Sequence, residues 1–366
     1  MPRVDFCSRW DNPHVLNYNR YYLHGLHDAA TLTSSTRPWY AAPFGEPAAG
    51  ARVSLFLMSR IFPRLGRRYP NETQYFVGQY ALRDGSDTIR FAIDPHDNRK
   101  IASKPILDWA DVYFKSNKWR SERYPSKVLP IVNGNGIHDR QSLAFLRSLR
   151  DAPKEWDFTF VSRLATGVEH NLRIFEALSR VKGRKRLIAV LYEELGQGEY
   201  VRTLEGFGVT CVGRTLPARE LWTLLGRSRV NFIRLGMKYC VPWRMIDFLC
   251  MGSCLVLDRR PLSDWPVPLD EGRHFVSCFG DRDVDAAPLD YRAVTETVER
   301  VAASPDLVEA IARANADYYD RHAAPERVAD YMLRALAARD AIDPRDTAYG
   351  ENVAPWPADT VWMNNV

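Results

Sequence analysis

The residues best placed to do chemistry lie in one stretch, VNFIRLGMKYCVPWRMIDFLCMGSCLVLDRRP, residues 230–261. Arg244 and Asp247 stand three apart behind Pro242, so a cation and a carboxylate project from one side of a helix. Proline suits a first helical turn, where its missing N–H goes unused. Trp243, Ile246 and Cys250 recur at helical spacing and are expected to face a core. Gly252 is expected to stop the helix before an apolar strand, Cys254–Leu257. A helix N-terminus with such neighbours can hold a nucleotide: amides and Arg244 take phosphate, and Asp247 accepts from ribose hydroxyls. Lys238, in the loop after the apolar run Val230–Leu235, and Arg163, closing the run Trp156–Arg163, are the further candidate cations. A second constellation, Ile93-Asp94-Pro95-His96-Asp97-Asn98, follows the apolar strand Thr88–Ile93. A carboxylate beside an imidazole can take a proton itself or orient the imidazole that does, so Asp94 is the first candidate base and His96 the second. The bland reading of that loop is a polar turn, and its spacing is too short to favour a metal. No metal and no cofactor are expected.

These groups must be held by regular elements. The second half alternates strand and helix: Trp156–Arg163, helix Glu169–Arg180, Arg186–Tyr192, helix Tyr200–Phe207, Val209–Val212, helix Pro217–Gly226, then the stretch above. Alternation of this kind implies parallel strands with crossover helices, a doubly wound sheet. Three helical stretches follow, Tyr291–Ala303, Pro305–Tyr319 and Pro325–Ala338. The first half is less regular, with strands expected at Arg3–Cys7, Arg52–Met58, Gln74–Tyr80, Thr88–Ile93, Val112–Ser116 and Lys127–Val132. The expected organisation is a first domain over 1–138, a linker over 139–155, a second domain over 156–340, and a tail over 341–366. The tail carries Trp356 and Trp362 and either packs back or is disordered.

A chain of 366 residues suggests about two domains. Its 46% hydrophobic and 26% charged content is that of a globular protein with a sizeable core. A net charge of +5 suits anionic ligands or a membrane surface and is no nucleic-acid signature; no nucleic-acid partner is expected. Arg60, Arg64, Arg67 and Arg68, interleaved with Ile61, Phe62 and Leu65, could rest on anionic lipid, although a basic exposed loop explains them too. No apolar run is long enough to span a bilayer, and the first residues lack a signal-peptide core. Six cysteines without a CxxC pair read as reduced thiols. The expected location is cytoplasmic, with peripheral contact to the inner membrane face left open.

Residues 230–261 resemble the nucleotide-sugar half of GT-B glycosyltransferases, especially exostosin-like and spore-coat-type bacterial members. The pattern there is an Arg, an acidic residue three later, and a small residue before an apolar strand, standing here as Arg244, Asp247, Gly252 and CLVLD. Ala110–Ser116 (ADVYFKS) resembles that family's last N-domain strand, Val128–Gly136 its entry to the interdomain linker, and Phe160–Leu164 its first C-domain strand, with Ser162 where Gly is usual. The resemblance implies an α/β fold of two Rossmann-like domains facing a central cleft, with a C-terminal segment crossing back to the first. It implies transfer of a sugar from a nucleotide-sugar donor to a saccharide or lipid-linked hydroxyl acceptor, in bacterial surface polysaccharide or glycolipid assembly, without a metal. Arg163, Lys238 and Arg244 would hold the diphosphate, Asp247 the ribose, and Asp94 or His96 would serve as base. The alternative is a nucleotide- or sugar-binding protein of the same fold without activity. A dinucleotide oxidoreductase is disfavoured, because Gly196-Gln-Gly198 lacks the third glycine of the phosphate fingerprint.

Overall fold

The computed structural model describes residues 3–7, 19–26, 31–32, 77–134, 136, 138–164, 168–191, 198–214, 216–236, 240–281 and 288–341. The fold is α/β, as expected, with two six-stranded sheets. The expectations placed on Arg52–Met58, Arg60, Arg64, Arg67, Arg68, Lys238 and the tail lie outside the described residues.

The chain divides into two compact units. The first takes residues 1–140, 263–267 and 322–366, and the second takes 141–262 and 268–321. In the first unit the sheet runs β2-β1-β3-β4-β5-β6, with β1 Arg3–Phe6, β2 Thr31–Leu32, β3 Gly78–Asp84, β4 Asp87–Asp94, β5 Val112–Lys115 and β6 Val128–Pro130. The strands β4, β5 and β6 are parallel, while β3 is antiparallel to β4. β3 begins later and runs further than the apolar pattern suggested, because Asp84 pairs with Asp87 across a tight turn at Gly85, whose φ is +59. A two-residue hairpin of this kind requires left-handed backbone, which glycine adopts without strain.

The C-terminal segment returns to this unit, and residues 322–341 carry the return. Helix α1 (residues 19–26) is buried almost throughout. Its Tyr21 hydroxyl donates to the Ala323 carbonyl and its Tyr22 hydroxyl to Val132 O at 2.8 Å. Helix α10 (Pro325–Ala337) sends Tyr331 Oη to Pro130 O at 2.9 Å and sets the Tyr331 ring edge-on to Phe114. Gly25 is where α1 meets α10. A Cβ there would stand 1.8 Å from Pro325 O, a backbone atom that cannot rotate away. Gly25→Ala is therefore expected to cost about 1–3 kcal/mol by overpacking, read as a lower urea midpoint at unchanged m. Residues 263–267 join the same unit through Ser263 Oγ to Asn117 and the Asp264 amide to Lys118 O at 2.6 Å. The sequence pattern had placed both segments in the second domain, since nothing in their composition marks a change of partner.

The second unit holds a fully parallel sheet in the order β12-β11-β10-β7-β8-β9. Its strands are β7 Trp156–Arg163, β8 Arg186–Leu191, β9 Thr210–Val212, β10 Ser228–Ile233, β11 Cys254–Leu257 and β12 Val276–Ser277. Numbered within the unit, that order is 6-5-4-1-2-3, the doubly wound dinucleotide-fold order. Phe158, Phe160, Val230, Phe232 and Val256 point from the strands into a core completed by Ile174 and Phe175 of α4 (Val168–Ser179) and Val294 and Val298 of α8 (Arg292–Ala302). Helix α7 (Arg244–Cys250) follows β10 and ends as expected at Gly252, whose φ is +59. The strand order reverses between β7 and β10. In open sheets of this class the crevice for ligands forms at that reversal, outside the carboxyl ends of the strands.

Candidate functional site

The reversal point is cationic. Arg163 is the last residue of β7, exposed, and pairs with no carboxylate among the described residues. Arg244 opens α7 and reaches back to the same strand, its Nη1 donating to Val161 O at 2.6 Å. Burial pushes the Arg244 guanidinium pKa down; Asp247 opposes this, and the like charge of Arg163 adds to it. Two guanidiniums are thus near enough to feel one another at the carboxyl end of β7, one of them without a counter-charge among the described residues. Such a pair is suited to an anion, and guanidinium forks match phosphate geometry.

Asp247 is placed differently from the ribose contact expected of it. Only 3% of the residue is exposed, and Oδ2 accepts from Trp222 Nε1 of α6 (Ala218–Gly226) at 2.9 Å. Three residues on from Arg244 the helix has turned its carboxylate inward. There Asp247 ties α7 to α6 and opposes the Arg244 charge from behind. Lys238 lies outside the described residues.

On the first unit, Asp94 is sealed rather than poised. It ends β4 with no exposure and accepts from the His96 amide at 3.0 Å, the Ala102 amide at 3.3 Å, Tyr113 Oη at 2.7 Å and Lys115 Nζ at 3.1 Å. Lys115 is equally buried. Burial alone would push the Asp94 carboxyl up, but Lys115, His96, the Tyr113 hydroxyl and the His96 amide outweigh it and hold the carboxyl below its ordinary range. A carboxylate spent on four donors and hidden from solvent does not serve as an exposed proton acceptor. The sequence could not show this, because the closing partner, Lys115, is 21 residues away and meets Asp94 only through the parallel register of β4 and β5. His96, in contrast, is half-buried on the loop beyond β4.

Four further residues at the carboxyl edge of the second sheet escaped the sequence reading. Arg234 and Asp258 immediately follow β10 and β11, Arg259 comes next, and His170 lies in the first turn of α4. The signal available was position: a charged residue directly after a buried strand of a parallel sheet stands on the ligand edge. Arg234 was hidden because the apolar run continues on its far side at Leu235.

No family model matches this chain, and no curated protein sequence does. Among solved structures it is similar in fold to a glycosyltransferase from Rickettsia africae, at 10% identity over 63% of this chain and 64% of that one, TM-score 0.44. It is likewise similar to Anabaena HepE crystallised with UDP, at 11% identity over 65% and 66% of the two chains, TM-score 0.44. A third likeness is to the C-terminal domain of a group 1 glycosyl transferase from Francisella tularensis, at 10% identity over 54% and 97%, TM-score 0.34. These structural neighbours are glycosyltransferases, and the likeness is one of fold. The chain spans under two thirds of the length of the first and of HepE.

Proposed function

We propose that this protein is a glycosyltransferase that moves a sugar from a nucleotide-sugar donor to a hydroxyl of a saccharide or lipid-linked acceptor, in bacterial surface polysaccharide or glycolipid assembly. The observation that carries the reading is the pair Arg163 and Arg244 at the strand-order reversal of a 6-5-4-1-2-3 parallel sheet. Departure of a nucleoside diphosphate builds negative charge on its phosphate oxygens, and fixed guanidiniums stabilise that charge as it develops. A divalent metal is then dispensable. His96, not the sealed Asp94, is our choice for the group that accepts the acceptor's proton. Asp247 we assign to opposing the Arg244 charge from behind rather than to the ribose contact.

Calorimetric titration with UDP, GDP, ADP and CMP in the presence of EDTA tests this. One nucleotide is expected to bind at micromolar Kd, and its sugar conjugates to support transfer that EDTA leaves unchanged. No binding by the folded protein overturns the proposal. Nucleotide binding without release of nucleotide from any conjugate would favour the second reading, a binding protein of this fold without turnover, which the sealing of Asp94 keeps in play.

A further inference from the structure

Two carbonyls of the loop that carries His96 are met by one neighbouring segment, residues 117–124. Asn117 Nδ2 donates to Asp97 O, directly after His96, and Tyr124 Oη donates to Arg99 O at 2.6 Å. The Arg99 guanidinium lies 4.8 Å over the Trp119 ring. On the strand side, Asp94 Oδ1 accepts from the His96 amide at 3.0 Å. His96 therefore sits between two backbone anchors, Asp94 before it and Asn117 after it. Asn117 is 1% exposed and has both ends of its amide engaged. Its Oδ1 accepts from Trp119 Nε1 at 3.2 Å and from Ser263 Oγ.

Ser263 arrives from far along the chain. It opens the strap 263–267, which lies in the connection between β11 and β12 yet belongs to the first unit. The strap meets the 117–124 segment as a short antiparallel bridge, Trp119 opposite Ser263, and the Asp264 amide donates to Lys118 O at 2.6 Å. Trp265 is buried, and Pro261, Pro266 and Pro268 restrict the backbone around it. An anchored strap thus holds Asn117, and Asn117 holds the carbonyl beyond His96. Hydrogen bonds joined in series through one buried amide support one another.

We infer that Asn117 is a positioning residue for His96, and that the strap at Ser263 keeps Asn117 in place. This rests on the reading of His96 as the group that accepts the acceptor's proton. A general base acts only within hydrogen-bond reach of the hydroxyl, and a displacement of about 1 Å can cost on the order of a hundredfold.

The test is histidine-ring NMR of wild type, Asn117→Ala, Ser263→Ala and Ser263→Thr, with the His96 signal assigned by its loss in His96→Gln. Asn117→Ala removes the whole junction, whereas Ser263→Ala cuts only the strap and is the milder change should the first fail to fold. Both are expected to shift the His96 signal, and Ser263→Thr, which keeps the hydroxyl, should restore it. His170 and His274, in the second unit, should keep their wild-type signals and serve as the folding control. In transfer assays with the sugar conjugate of the nucleotide that binds, kcat should fall about tenfold in Asn117→Ala and less in Ser263→Ala, with nucleotide Kd within about twofold of wild type. An unshifted His96 signal in folded Ser263→Ala, or equal shifts at His170 and His274, overturns the inference. So does an unchanged kcat in both variants when His96→Gln is impaired. Transfer unchanged in His96→Gln instead overturns the base assignment on which the inference rests.

Discussion

Asp94→Ala is expected to destabilise the protein by about 3–5 kcal/mol, because it leaves the Lys115 ammonium buried without its counter-charge. The loss exceeds what the visible hydrogen bonds suggest. Four donors converge on this carboxylate, and each keeps its desolvation penalty when the acceptor goes. Replacing both partners at once should cost less, because Asp94→Leu with Lys115→Met removes the unpaired buried ammonium, although the Tyr113 hydroxyl and the His96 and Ala102 amides still lose their acceptor. Urea unfolding of the two single variants and the double variant reads this directly. If Asp94→Ala lowers stability by less than about 1 kcal/mol, the Lys115 ammonium does not depend on Asp94 for its counter-charge. The pH dependence has a definite sign. The folded carboxyl lies below its ordinary 3.8, so the ion pair contributes fully above the unfolded value. That contribution is lost as pH falls through the folded one. Wild-type stability should therefore drop more steeply than that of the double variant below about pH 4.

Such a result would also separate structure from catalysis at a position where the sequence offered both. Asp94 was singled out for its type and its place straight after a strand; it is instead the last residue of β4, and what failed was the inference from position to exposure. Local pattern reports which residues stand at strand ends. It does not report which cation a neighbouring parallel strand will deliver, since that depends on register between segments about 20 residues apart. The same limit explains Asp247. Its spacing from Arg244 was legible, but its burial depends on Trp222, brought in by a helix preceding β10. The second sheet, by contrast, was legible nearly strand for strand. A doubly wound unit is built from local βα repeats whose apolar runs and glycine stops are written in sequence order, as Gly252 shows. The return of residues 263–267 and 322–341 to the first unit was not legible in detail. Chain crossing is settled by long-range contacts such as Gly25 against Pro325, not by composition.

Arg163 and Arg244 give the largest expected effect on ligand binding, and they should behave in opposite ways toward stability. Arg163 is exposed, pairs with no carboxylate among the described residues and feels the like charge of Arg244, so Arg163→Ala should leave unfolding within about 0.5 kcal/mol of wild type. Any small change should favour the folded state, because a repulsion is removed. Arg244 is held by Val161 O and opposed by Asp247, so Arg244→Ala leaves a buried carbonyl without its donor and should cost stability, about 1–3 kcal/mol. Toward a bound nucleoside diphosphate both should weaken Kd about tenfold or more, the loss of one charge-assisted hydrogen bond each. The double variant should bind about a hundredfold more weakly, and its affinity should fall less steeply with added salt than that of wild type. A residue whose removal costs binding but no stability is there for its ligand, which is the claim made for Arg163. Titration and thermal melts on the same samples decide it. An Arg163→Ala protein that melts like wild type and binds nucleotide equally well would show that this guanidinium faces only solvent, and the diphosphate would have to be sought elsewhere along the edge.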